Sequence, residues 1–277
     1  MGYYGDEVMF CAAWAEIGPF RSTFWSLWDR EQGRVLGHTR MLPGPPEVTI
    51  EGDQLEVGAS GPDPVRVSLR LGESEPVEAV CPSGRGWGWT RKRAGVPLAG
   101  TIEAGGRRWT IDGVGVDDQS GGYQARHTRW SWSAGVGRTT DGRDVAWNLT
   151  AGINDPITAS ERAVWIDGSP VEAGPVVFTG LDQVSFLGGE RLDFHFTPGA
   201  ERRRHDNFGL IRSDYVHRFG TFTGSLEDPT ATDSGPTGGS GGTGGAGAKG
   251  GSGAAGGSGG IELAEASGVM EEHVAVW

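Results

Sequence analysis

No run of a dozen residues in this chain keeps apolar side chains at the three-and-four spacing of an amphipathic helix; apolar and polar residues alternate instead over short runs broken by Gly, Pro, Asn and Asp. The cleanest run sets Val65, Val67, Leu69 and Leu71 against Arg66, Ser68 and Arg70, the pattern of a strand with one face in water. Gly105-Gly106 and Glu51-Gly52-Asp53 each join two such runs, as hairpin turns do. The fold class is therefore all-β, an antiparallel meander. Between Ser22 and Trp28 large residues fall on both faces, which requires cover on both sides or a greasy cavity on one.

With 277 residues the chain can build one large β domain or two small ones. Residues 235–260 must first be subtracted: from Thr237 onward they are only Gly, Ser, Thr, Ala and one Lys, which cannot bury enough apolar surface to offset the entropy of ordering them. That tract reads as a disordered, expanded hairpin loop, because closing a longer loop costs little extra and Thr221–Leu226 can still neighbour the C-terminal segment. A net charge of −12 argues against nucleic-acid binding. The basic runs Arg91-Lys92-Arg93 and Arg202-Arg203-Arg204 sit beside turn-forming residues and read as solvated loop charges. Cys11 and Cys81 are too few for a zinc pattern or a disulfide framework. Neither a basic-then-apolar leader nor a run near the roughly 18 apolar residues of a membrane span is visible, so a cytoplasmic protein is expected. Nothing in the sequence indicates an oligomeric state.

Chemistry is densest from Asp117 to Trp132. Asp117 and Asp118 precede Gly121-Gly122 and are expected in a turn near a barrel mouth, where one of them caps the turn or acts as an acid. If the residues from Tyr123 onward form a strand, Gln124, Arg126, Thr128, Trp130 and Trp132 share one face while Tyr123, His127 and Arg129 share the other. Tyr123 with His127 could then act as an acid/base pair, and Arg126 with Trp130 and Trp132 could hold a polar head group against an aromatic wall, unless that face is simply core. In an extended C-terminal segment Glu271, His273 and Trp277 share a face, so a carboxylate and an imidazole converge there. No third ligand with convincing spacing accompanies them, and no metal is expected. A Gly-x-Ser-x-Gly elbow, a phosphate loop and a dinucleotide fingerprint are all missing, and no cofactor is expected.

Several separated motifs agree in order: Asp117–Tyr123, Arg126–Trp132, Asn148–Gly152, Glu161–Gly168, Phe219–Gly224 and the closing Gly268–Trp277. Together they resemble the bacterial domain-of-unknown-function family 2804, over roughly residues 3 to 277 outside the glycine tract. That pattern is loosely similar to the two-domain lipocalin-like proteins that include carotenoid 1,2-hydratases, in which acidic groups protonate an isoprenoid alkene. The resemblance implies two lipocalin-like barrels or half-barrels packed side by side: residues 1–114, with a first barrel shortened at its start, and residues 115–234 with 261–277. It also implies a hydrophobic or isoprenoid-like small molecule as ligand, held in an aromatic-lined cavity near Tyr123, Arg126, Trp130, Trp132 and Trp277. The alternative is a cofactor-independent hydratase, isomerase or cyclase using Asp117, Asp118, His127, Glu271 or His273 as acid and base. Fold alone does not choose between these.

Overall fold

The computed structural model describes residues 1–41, 46–187, 192–207, 209, 211–227 and 260–276. Residues 235–259 of the glycine tract and Trp277, both singled out above, lie outside the described residues. Among those residues there is no helix; every ladder is antiparallel, and the strands form two sheets.

The first sheet contains β1 (Gly2–Tyr4), β2 (Val8–Ile17), β3 (Phe20–Asp29), β4 (Arg34–Met41), β5 (Val48–Glu51), β6 (Gln54–Ala59), β7 (Val65–Leu71), β8 (Val77–Ser83), β9 (Gly86–Ala104) and β10 (Arg107–Gly122). The second contains β11 (His127–Thr139), β12 (Asp144–Ala151), β13 (Ala163–Ile166), β14 (Ser169–Glu172), β15 (Val176–Thr179), β16 (Gln183–Phe186), β17 (Leu192–Asn207), β18 (Arg212–Glu227) and β19 (Gly260–Val276). Strand order is β4-β3-β2-β1-β10-β9-β7-β6-β5 in the first, with β8 on β9, and β14-β13-β12-β11-β19-β18-β17-β16-β15 in the second. The first sheet curls into a half-barrel whose ends meet through Glu47, which takes hydrogen bonds from Trp25 Nε1 at 3.3 Å and His38 Nδ1 at 2.8 Å. In the second sheet the C-terminal β19 lies between β11 and β18, with Leu226 opposite Ile261, so the chain on either side of the glycine tract is paired as the loop argument required.

Alternation decides what fills each half. β7 shows strictly alternating burial and sends Val65, Val67, Leu69 and Leu71 into a core with Phe10, Trp25, Leu27 and Trp109. In the second half Trp147 packs 4.9 Å from both Phe194 and Phe222, and Phe196 lies 4.7 Å from Phe222. These aromatic rings pack on one another as core. A third cluster, including Met9, Cys11, Trp28, Val136, Trp165, Phe219 and Val269, draws on both sheets and is the seam between them.

Several local expectations are corrected. Asp117 and Asp118 are not in a turn; they continue the β9–β10 ladder past a bulge at Gly115/Val116, opposite Arg93 and Lys92. Gly121-Gly122 suggested a turn beside the two carboxylates, yet the ladder runs on to Gly122, the last residue of β10, so both aspartates lie within it. For the same reason Arg91-Lys92-Arg93 is strand rather than loop, as is Arg202-Arg203-Arg204 within β17. Tyr123–Arg126 is the crossing between the sheets, not the start of a strand.

Candidate functional site

Strand pairing builds the seam row by row. On the face of the second sheet that meets the first, Trp132, Glu271 and His217 stand side by side on β11, β19 and β18, and the next row is Trp130, His273 and Tyr215. Pairing of β2 with β3 presents Met9 with Trp28, Cys11 with Ser26 and Ala13 with Phe24 on one face of that hairpin. The two faces meet where Cys11 acts on His217 and where the Phe24 ring lies 6.3 Å from Tyr215.

The lower row is a buried charge pair. His217 Nδ1 lies 3.0 Å from Glu271 Oε2, and the His217 side chain is 6% exposed. Burial alone would lower the His217 pKa, but Cys11 and the Glu271 carboxylate outweigh it and push it up to about 9. Burial likewise opposes ionisation of Glu271, and the two imidazoles with the Trp130 indole hold its pKa below the usual carboxylate value. The upper row behaves in the opposite sense. His273 Nδ1 is 3.9 Å from Glu271 Oε1, its Nε2 is 2.9 Å from Ser213 Oγ, and its ring lies 4.2 Å from Trp130 and 5.6 Å from Tyr215. Burial between those rings keeps its pKa below the ordinary histidine value, although Glu271 and Asp214 pull upward. One carboxylate thus sits between a protonated imidazole and a neutral one, the separation that acid/base chemistry needs.

A second polar cluster crosses the seam further along. Lys92 is buried, bonds Asp118 across its own sheet and reaches Glu161 Oε2 at 3.3 Å from the loop after β12. Glu161 accepts from Asn154 Nδ2 at 3.0 Å, its pKa raised mainly by burial. Trp132 Nε1 donates to Asn148 Oδ1 at 2.8 Å, and Asn148 donates to the Glu161 carbonyl at 3.0 Å, so the two clusters are joined through Trp132. Tyr4 stands between them: Asp118 and Glu271 both act on its hydroxyl, whose pKa burial pushes well up. Neither Tyr4 Oη nor His217 Nε2 has a hydrogen-bond partner at normal geometry among the described residues.

Of the residues singled out from the sequence, the fold therefore brings Glu271, His273, Trp130 and Trp132 into one constellation. Asp118 approaches it from the other sheet through Lys92, and Asp117 is buried on Arg93 at 2.8 Å. His127 is exposed at the start of β11, and no hydrogen bond joins it to Tyr123. Tyr123 and Arg126 line an open cleft of about 430 Å³ with Ser83–Gly86. Sequence reasoning missed His217, Cys11, Tyr4, Lys92 and Glu161. Only His217 carried a signal, sharing a strand face with Tyr215 and Phe219. Among the described residues no three His, Cys, Asp or Glu side chains are grouped to hold a metal ion, and no helix is long and apolar enough to cross a membrane.

Two antiparallel sheets, one of them a half-barrel, packed through this seam make a lipocalin-like fold. Residues 51–234 match the family Domain of unknown function (DUF2804), and the chain belongs to that family. Among solved structures it is similar to kievitone hydratase from Nectria haematococca, with TM-score 0.55 and 10% identity over 98% of this chain and 84% of that one. It is also similar to a protein from Nitrosomonas europaea provisionally named AttH, with TM-score 0.52 and 12% identity over 96% of this chain and 86% of that one. At such identities the likeness is one of fold. No curated protein sequence matches the chain.

Proposed function

We propose that the seam is a proton-transfer site that adds or removes water, or shifts a double bond, on a small hydrophobic molecule. The observation that carries this reading is the placing of the buried Glu271 carboxylate between two imidazoles, 3.0 Å from His217 Nδ1 and 3.9 Å from His273 Nδ1, with burial and neighbours moving the two histidine pKa values in opposite directions. In this reading His273 takes or gives the proton at the ligand, Glu271 fixes its ring, and the His217 imidazolium keeps Glu271 ionised in a buried setting. Trp130 and Tyr215 flank His273 and supply an apolar wall for a flat or prenyl-like substrate. The hydratase chemistry named for the Nectria protein supports this class without identifying the substrate. Pure ligand binding, the other reading, has less support: the clefts at Tyr123–Arg126 and at Glu73–Glu75 are open, and the large aromatic cluster around Trp147 is packed core.

The test is incubation of the protein with geraniol, an isoprenoid alkene, in D₂O, with mass spectrometry for hydrated product or deuterium at carbon. Wild-type protein should label the probe, and His273→Gln should lower the rate by about a hundredfold or more, the usual contribution of a positioned acid or base. Labelling by wild type and His273→Gln at equal rates would defeat the proposal.

A further inference from the structure

Arg202 shares a face of β17 with Arg204, and Arg202 reaches across the seam to the first sheet. Nη2 donates to Thr39 Oγ1 on β4 at 2.8 Å, and the guanidinium lies 5.9 Å over the Tyr215 ring. Among the described residues no carboxylate reaches ion-pair distance of it. The nearest acid that influences it, Asp206, is held by both Nε and Nη2 of Arg204 at 2.6 Å. Arg202 Nη1 is buried without a hydrogen-bond partner, and so is the Tyr215 hydroxyl, although that hydroxyl senses Arg202 and Thr39. Arg202 is half-buried, so a guanidinium without a counter-ion and with one shielded, unpartnered nitrogen has a cost, and the charge is not relieved by deprotonation, since arginine stays protonated. Space has been kept for it: a Cβ on Gly37, across the seam, would lie 3.0 Å from Nε and 3.2 Å from Cδ.

We infer that Arg202 and Tyr215 form a subsite for the carboxylate of a flat, unsaturated carboxylic acid, with the body of that ligand lying along Tyr215, His273 and Trp130. The inference deepens the proton-transfer reading and rests on it for the role of His273, but the binding step stands by itself. A carboxylate suits the site because a planar guanidinium offers parallel N–H donors matched to two coplanar oxygens, and the Tyr215 hydroxyl adds a donor beside them. The rings that continue from this point, Phe24 at 6.3 Å and His273 at 5.6 Å from Tyr215, suit a conjugated body rather than a bulky one. The β3–β4 hairpin lies against this guanidinium, with Thr39 Oγ1 on Nη2 and Gly37 beside Nε. β4 is an edge strand whose backbone ladder is with β3 alone and which has no fully buried residue, so opening the subsite means shifting this strand and its side-chain contacts to Glu47 and Arg202.

The experiment is isothermal titration of the full chain with cinnamate, with its neutral amide and with inorganic phosphate. Cinnamate should bind, and the amide should bind at least about tenfold more weakly, the scale of one charge-assisted hydrogen bond. Arg202→Gln should lose cinnamate by a similar factor while melting no lower than wild type, because the half-buried charge that it removes has no counter-ion. That combination separates ligand recognition from a purely structural role. Tyr215→Phe should weaken cinnamate severalfold and leave the fold intact. Equal affinity for cinnamate and its amide, unchanged affinity in Arg202→Gln, absence of cinnamate binding, or competition by phosphate at equal concentration would each overturn the assignment. In wild-type protein, cinnamate binding without labelling of geraniol would defeat the proton-transfer reading alone, and labelling of geraniol without cinnamate binding would defeat this subsite alone.

Discussion

His217 and Glu271, far apart in the sequence on either side of the glycine tract, meet as a buried pair at 3.0 Å because β18 and β19 lie in register. The pair has a pH signature with a definite sign. The His217 pKa is raised from 6.5 to about 9, so its stabilising contribution is complete below 6.5 and is lost as pH rises through about 9. Glu271 is lowered, so its contribution is present above the ordinary carboxylate value and lost as pH falls through its own pKa. Glu271→Gln should therefore cost on the order of 3 kcal/mol near pH 6, with the deficit shrinking above pH 9. Urea unfolding across that range measures it, and a deficit independent of pH between 6 and 10 would contradict the pairing. Imidazole NMR of the variant should show the His217 pKa falling, since Cys11 is then left without the carboxylate to oppose the effect of burial.

Lys92 holds two carboxylates, Asp118 of its own sheet and Glu161 of the other. Lys92→Met keeps the stem and removes the charge, leaving Glu161 buried and uncompensated, which should cost about 3 to 5 kcal/mol at pH 7. The Glu161 pKa is already raised by burial and should rise further, so the variant should recover stability as pH falls and the carboxyl takes a proton. Chemical denaturation of variant and wild type at pH 7 and pH 5 checks both the size and the sign. A deficit that grows on acidification would show that Lys92 does not neutralise Glu161.

How far the sequence reveals this site follows from which interactions are local. Alternation of Val65–Leu71, the turn at Gly105-Gly106 and the shared face of Glu271 with His273 are properties of neighbouring residues, and the structure has them where the sequence puts them. Arg202 and Lys92 were misread because a run of basic residues beside glycine or proline looks solvated. Only the pairing of β17 with β18 and of β9 with β10 shows that alternate members of each run point into a seam. The seam depends on two sheets meeting, and no period in the sequence encodes which face of one sheet covers another. His217 illustrates the same limit, for its partner is reached only by bridging residues whose composition says nothing about pairing.

His127 offers a contrast between sequence density and structural role. It lies in the richest stretch of the chain, yet it is exposed at the first position of β11, and its backbone partner is Val276. His127→Ala should change unfolding free energy by less than about 0.5 kcal/mol, the range of surface substitutions that touch no special feature. Thermal melts of the variant and wild type test this. A loss of several degrees would mean that the imidazole has a buried partner.

The second core depends on the close approach of β11 and β12. Gly135 lies on β11 directly opposite Trp147, and a Cβ there would overlap the indole ring. Trp147 cannot retreat: it is fully buried, wedged against Phe194 and Phe222, and its Nε1 donates to Ser133 Oγ at 3.0 Å. Gly135 does not have a left-handed backbone, so alanine is acceptable there in conformation and the objection is purely one of space. Gly135→Ala should therefore destabilise by about 1 to 3 kcal/mol, the cost of overpacking a dense interior. The double variant Gly135→Ala/Trp147→Phe, whose smaller ring vacates the contested volume, should be more stable than the sum of the two single changes predicts. Additive costs in that cycle would show that the indole does not occupy the space above Gly135.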